Sequence, residues 1–93
     1  MKKQIFISYC AQDKEKAYEV CRLLEQQDHL CWIAPRDVGP GMIYAEQIVK
    51  AIRDCGALVL ICSSASDKSS HVRNEVERAF SHDKPIVPFR KSQ

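Results

Sequence analysis

Four short hydrophobic runs rich in strand formers punctuate the chain, and the segments between them carry apolar residues at helical spacing. The runs are Gln4-Ile5-Phe6-Ile7-Ser8, Leu30-Cys31-Trp32-Ile33, Ala57-Leu58-Val59-Leu60-Ile61-Cys62 and Pro85-Ile86-Val87-Pro88-Phe89. Between them, Ala17, Val20, Cys21 and Leu24 recur at i, i+3, i+4 and i+7, and Ala45, Ile48, Val49 and Ile52 repeat that pattern. Val72, Val76, Ala79 and Phe80 predict a third amphipathic helix over the segment Ser69 to Phe80. Asp13 is placed to cap the first helix and Gly56 to end the second. The third run is continuously apolar between Gly56 and Ser63, which fits a central parallel strand covered on both faces. The two prolines of the fourth run suit an edge or a strand end.

Strand and helix therefore alternate from end to end. The expectation is an α/β fold: a flavodoxin-like parallel sheet, strand order 2-1-3-4, with right-handed crossovers and helices on both faces. The 93 residues make a single domain, with no internal repeat, low-complexity tract or linker. The sequence stops just after the fourth strand, so the expectation is a truncated domain, or one completed by further sequence or a partner.

In such a sheet, ligands bind outside the carboxyl ends of the strands, where the strand order reverses, here between the first and third strands. The loops meeting there are Ser8-Tyr9-Cys10-Ala11-Gln12 and Ser63-Ser64-Ala65-Ser66, with Glu75 just beyond. The loop Pro35 to Gly41 comes from the same edge; its two prolines and two glycines give it shape while leaving its backbone open to approach. By position alone Glu75 is an ordinary solvated carboxylate. It flanks the apolar stripe of its helix, whereas Glu77 points further away, and topology sets Glu75 beside the crevice. The plain readings of the neighbours are turn and cap chemistry for the serines, a turn residue for Asp37 and core for Trp32.

Composition narrows the classes. With 45% hydrophobic and 28% charged residues the chain is ordinary for a globular protein. A net charge of +2 with no Lys/Arg block argues against nucleic acid. The apolar runs are too short to span a bilayer, and the start of the chain lacks a signal-peptide pattern. Five cysteines are odd in number and show no CxxC pair; Cys21 and Cys62 lie within apolar patterns and read as small buried hydrophobes in a reducing compartment, the cytoplasm by default. His29, His71 and His82 form no recognised ligand cluster with them, so no metal site is expected. GxGxxG, GxxxxGK[ST] and GxSxG are all absent.

Several motifs in order resemble a bacterial Toll/interleukin-1 receptor (TIR) domain. They are Ile5-Phe6-Ile7-Ser8-Tyr9 followed by Asp13; Cys31-Trp32-Ile33-Ala34-Pro35-Arg36-Asp37 leading to Pro40-Gly41; Ala51-Ile52 before Leu58-Val59-Leu60-Ile61; Ser69-x-x-Val72-x-x-Glu75-Val76; and Ile86-Val87-Pro88-Phe89. The resemblance implies an enzyme that hydrolyses NAD+ to nicotinamide and ADP-ribose or a cyclic form, activated by self-association, in a setting of bacterial antiviral defence signalling. It implies Glu75 as the catalytic residue, with Ser8, Tyr9, Trp32, Arg36, Asp37 and Ser63 binding substrate. It also implies that Arg36 to Gly41 is the so-called BB loop, which gates the site and mediates assembly. NAD+ is then a substrate, and no cofactor is expected. Two departures stand out: His71 and Val72 replace the Trp or Cys of some members ahead of the glutamate, and the helix, strand and helix that usually follow the fourth strand are missing.

The chemistry suits one carboxylate, because nicotinamide leaves NAD+ as a neutral molecule and needs no general acid. The alternative is a non-catalytic module that binds other TIR domains through the BB loop. A phosphoacceptor receiver domain on the same fold fails, since the third strand ends Ile61-Cys62-Ser63 without an acceptor Asp.

Overall fold

The structure, a computed structural model, describes residues 3–41 and 43–90. Its elements are β1 (Ile5–Ser8), α1 (Lys14–Gln26), β2 (Cys31–Trp32), α2 (Tyr44–Asp54), β3 (Ala57–Cys62), α3 (Ser64–Asp67), α4 (Ser70–Ser81) and β4 (Ile86–Arg90), with a 3-10 turn at Ala11–Asp13. The strands form one parallel sheet in the order β2-β1-β3-β4. Fold class and strand order are those the sequence predicts. β4, with Pro88 inside it and Pro85 just ahead of it, takes the edge.

Because side chains alternate across a strand, each buried strand feeds both faces of the sheet. Ile7, Cys31, Ile33, Val59 and Ile61 pack with Ala17, Val20 and Cys21 of α1. On the other face Phe6, Trp32 and Leu58 pack with Ile48 and Ile52 of α2 and Ala79 of α4. Phe6 and Trp32 stack with ring centroids 5.1 Å apart and planes 11° from parallel. Full burial of a side chain such as Phe6 or Leu58 contributes about 1.5–3 kcal/mol.

The helices depart from their expected stripes in instructive ways. Phe80 is 75% exposed, and the buried set on α4 is Val72, Glu75 and Ala79, with Val76 half-buried. At roughly 100° per residue Phe80 lies about 80° from Val72, on the side away from Glu75, so the stripe rotates toward the carboxylate. On α2, Ile48 and Ile52 are buried, Val49 is half-buried and Ala45 is exposed. The serine-rich loop contains the short helix α3, which the sequence reading leaves as loop. Ser63 caps α3 by accepting from the Ser66 amide at 3.0 Å while Ser66 Oγ accepts from the Ser63 amide at 2.8 Å, and Ser69 caps α4 by accepting from the Val72 amide.

Asp13 does stand at the start of α1, but its side chain makes no cap bond there. Its carboxylate instead accepts from the Cys10 thiol at 3.2 Å and from the Ser63 hydroxyl, joining the β1 and β3 loops. Gly56 follows α2 and permits close approach: a Cβ there would lie 3.1 Å from Lys3 Cβ.

Helices α1 and α4 both close with paired reverse bonds. For α4, the Lys84 amide donates to Ala79 O at 2.9 Å and the Asp83 amide to Phe80 O at 3.0 Å. Asp28 and Asp83 hold the left-handed position, at φ 68° and 57°, where glycine is the usual occupant. Asp83→Gly is therefore expected to raise stability by roughly 0.5–1 kcal/mol, seen as a higher urea midpoint with an unchanged slope.

Candidate functional site

β1 ends at Ser8, beside β3, and α4 crosses over that end. This brings together two polar side chains far apart in the chain and both buried, Ser8 fully and Glu75 to 6% exposure. The Ser8 hydroxyl donates to Glu75 Oε1 at 2.7 Å. His71, one helical turn earlier on α4, sets its Nε2 3.0 Å from Oε2 of the same carboxylate. Each carboxylate oxygen thus has a partner. Burial pushes the Glu75 carboxyl above its ordinary range, and the Ser8 hydrogen bond and the nearby His71 draw it back.

Glu75 opens into a cleft of about 180 Å³ lined by Phe6, Ile7, Tyr9, Ala11, Ala34, Tyr44 and His71. Among the described residues lining it, Glu75 is the one carboxylate. The cleft is smaller than the usual ligand pocket of roughly 300–1,000 Å³, room for one small ring system. Tyr9 donates to Ala34 O, and Tyr18 reaches the same carbonyl at 3.4 Å, its ring edge-on to Tyr9. Burial, then the neighbouring Tyr18 and Tyr44, pushes the Tyr9 phenol up to about 12, so it remains a neutral donor. Tyr44 is likewise pushed up, by burial and then by the Glu75 charge.

Of the candidate substrate-binding residues, the structure brings Ser8 and Tyr9 to Glu75 and leaves the other four out of the residues lining this cleft. Trp32 is 7% exposed and stacked on Phe6 in the core. Ser63 spends its hydroxyl on Asp13 and on the α3 cap. Asp37 binds back to the end of β2, and Arg36 ties the start of the loop to α1. Asp37 Oδ2 accepts from the Ile33 amide at 2.9 Å, while Arg36 bonds both oxygens of Glu25 at 3.1 and 2.9 Å, the Asp37 carboxylate and Cys31 O. These bonds, Glu25 first, hold the Arg36 guanidinium firmly charged.

His71 and Tyr44 line the cleft without having been singled out as site residues. The i, i+4 spacing of His71 and Glu75 on one helix is a signal that could have found the first. Tyr44 has no such signal, because the long loop ahead of α2 decides where it falls. Away from the cleft, the fold also gathers Cys21, Glu25 and Cys31, whose ligand atoms all lie within 4.8 Å of one another. Among the described residues no helix is long and apolar enough to cross a membrane.

A family model described as TIR domain matches residues 5–93. Among solved structures, the chain is similar to a metazoan TIR-STING receptor from C. gigas, at 29% identity and a TM-score of 0.79, covering 95% of this chain and 30% of that one. It is similar in fold to the TIR domain of the Toll-related receptor TRR-2 from Hydra magnipapillata, at 22% identity and a TM-score of 0.84, covering 99% of this chain and 74% of that one. The TIR domains of the activated Roq1 resistosome share the fold at 17% identity and a TM-score of 0.84, over 96% of this chain and 57% of that one. A search of curated proteins finds no match. The family match over nearly the whole chain, on a sheet of matching topology, means that this chain belongs to the TIR domain family.

Proposed function

We propose that this domain cleaves the bond between nicotinamide and ribose in NAD+, with Glu75 as the catalytic carboxylate. The observation that carries the reading is the buried Glu75, hydrogen-bonded by Ser8 at 2.7 Å and facing a small cleft walled by Tyr9, Tyr44 and His71. Nicotinamide leaves as a neutral molecule, so a second carboxyl acting as acid is not required. Positive charge builds on the ribose as the bond lengthens, and a carboxylate shielded from water stabilises it more strongly than one in solvent. The tyrosines supply an aromatic wall for the nicotinamide ring. Attack by water on the ribosyl carbon gives ADP-ribose; attack by the substrate's own adenine gives a cyclic product. All five cysteines are unpaired, in keeping with a reducing compartment such as the cytoplasm.

Self-association is the proposed activating step. Ile43 and Tyr44 are 62% and 46% exposed beside the loop that begins at Pro35, an apolar surface a second TIR domain can cover. The same exposure favours the second reading, a non-catalytic module that acts by association alone. Nicotinamide release by the protein at high concentration or clustered on a scaffold separates the two: absence of turnover in every assembled state leaves only the module.

Glu75→Gln is expected to lower nicotinamide release on the order of a hundredfold or more. It keeps the shape of the side chain and removes a charge that burial disfavours, so its thermal midpoint is expected at or above that of the wild type. Activity that persists in this variant overturns the assignment.

A carboxyl raised in the folded state holds its proton more tightly there than in the unfolded chain. Its contribution to stability is therefore largest below the ordinary carboxylate range and is lost as pH climbs through the raised value. Activity needs the ionised form and is expected to rise over that same window, so pH profiles of stability and turnover should run in opposite directions. In Ser8→Ala the bond that favours the charged form is gone. The acid limb of the turnover profile is expected to move to higher pH, and stability at neutral pH to fall by about 1.5–3 kcal/mol.

A further inference from the structure

Cys21 and Glu25 stand one turn apart on α1, and β2 places Cys31 against them. Sequence spacing hides this group, because the third member arrives through the sheet. The two sulfurs and a carboxylate oxygen lie within 4.8 Å of one another, in reach of a single ion after small side-chain adjustments. The thiols are almost fully buried, at 1% and 5% exposure, while Glu25 is at the surface and leaves the group open to solvent on one side. Two thiolates and one carboxylate favour a borderline-soft divalent ion, with water in the fourth position of a tetrahedron.

A cation already occupies the edge of this group. Arg36 holds both Glu25 oxygens, yet it also bonds Asp37 through Nε and Nη2 and the carbonyl of Cys31. If Glu25 turns away, Arg36 keeps Asp37. The carboxylates of Glu25 and Asp37 together outnumber the one guanidinium between them, so the local charge still favours a second cation.

We propose that Cys21, Glu25 and Cys31 form a zinc site in which the ion and Arg36 compete for the Glu25 carboxylate. Binding forms two Zn–S bonds and one Zn–O bond; each thiol gives its proton to solvent, and no electron is transferred. The bound ion releases Arg36 from α1 and so loosens one of the ties on the loop that starts at Pro35. None of its three ligands takes part in the proposed NAD+ chemistry, so metal binding can be tested apart from turnover.

Titration of the reduced whole chain with Cd2+, followed by the ultraviolet thiolate-to-metal absorption and reversed by Zn2+, tests this directly. One equivalent is expected to saturate the band, and Cys21→Ser and Cys31→Ser should each weaken binding at least tenfold. Since these buried positions can affect folding, two surface variants carry equal weight. Glu25→Gln is expected to weaken binding, and Arg36→Gln to tighten it severalfold by removing the competitor. A band that survives both cysteine variants, arising from Cys10, Cys55 or Cys62, overturns the site, as does the absence of saturation near one equivalent. Weaker or unchanged binding in Arg36→Gln overturns the competition.

Discussion

The hydrogen bond from Ser8 to Glu75 joins the end of β1 to the face of α4, and much of the site follows from it. A carboxylate at 6% exposure is costly unless something replaces its lost water. Here the replacement is a fully buried hydroxyl on one oxygen and an imidazole at the mouth of the cleft on the other. Holding that arrangement requires β1 to sit between β2 and β3 and α4 to lie across its end. The parallel sheet and the crossover after β3 bring this about. The stripe on α4 is rotated to admit the carboxylate, and Phe80 is left outside as a consequence. A helix rotated the other way about its axis would bury Phe80 and expose Glu75; the observed one gives up apolar burial to keep a carboxyl group at a cleft.

The second constraint is on the loop from Pro35. Its beginning is held from both sides: Tyr9 and Tyr18 bond Ala34 O, and Arg36 spans Glu25, Asp37 and the Cys31 carbonyl. Asp37 closes back on the Ile33 amide. Exposed ion pairs of this kind are individually weak, about 1 kcal/mol or less. Their effect is to fix where the chain leaves β2, which in turn sets Ala34 and Tyr44 as walls of the cleft. The Arg36 tether is also the most readily exchanged, because its partner Glu25 lies at the surface beside two thiols.

The fold class, the strand order, the central place of β3 and the edge place of β4 were legible because each rests on a local pattern. Continuous apolar runs mark strands covered on both faces, and prolines mark an edge. Glu75 was legible in stages: spacing left it ordinary, topology brought it to the crevice, and the motif around it resembled that of a TIR domain. Trp32, Arg36 and Asp37 belong to another such motif and Ser63 follows the third strand, and in this structure the contacts of their side chains lie outside the cleft. Trp32 fills the core, Ser63 caps a helix, and Arg36 and Asp37 close a loop. A motif records that a residue type is needed at a place, without saying whether a ligand or the fold needs it.

What the sequence determined by itself is the alternation of elements and the faces they bury, since hydrophobic period is a property of neighbours along the chain. What only the tertiary structure decided is which distant polar groups meet. Ser8 and Glu75 are 67 positions apart, and Asp13 and Ser63 are 50 apart. Cys31 reaches Cys21 and Glu25 only because β2 packs beside α1. Such meetings depend on the order of strands in the sheet and on the rotation of each helix about its axis. A helix turned by a few tens of degrees exchanges one buried side chain for another, as α4 exchanges Phe80 for Glu75. That rotation is set by packing against the whole sheet, and no local stretch of sequence contains it.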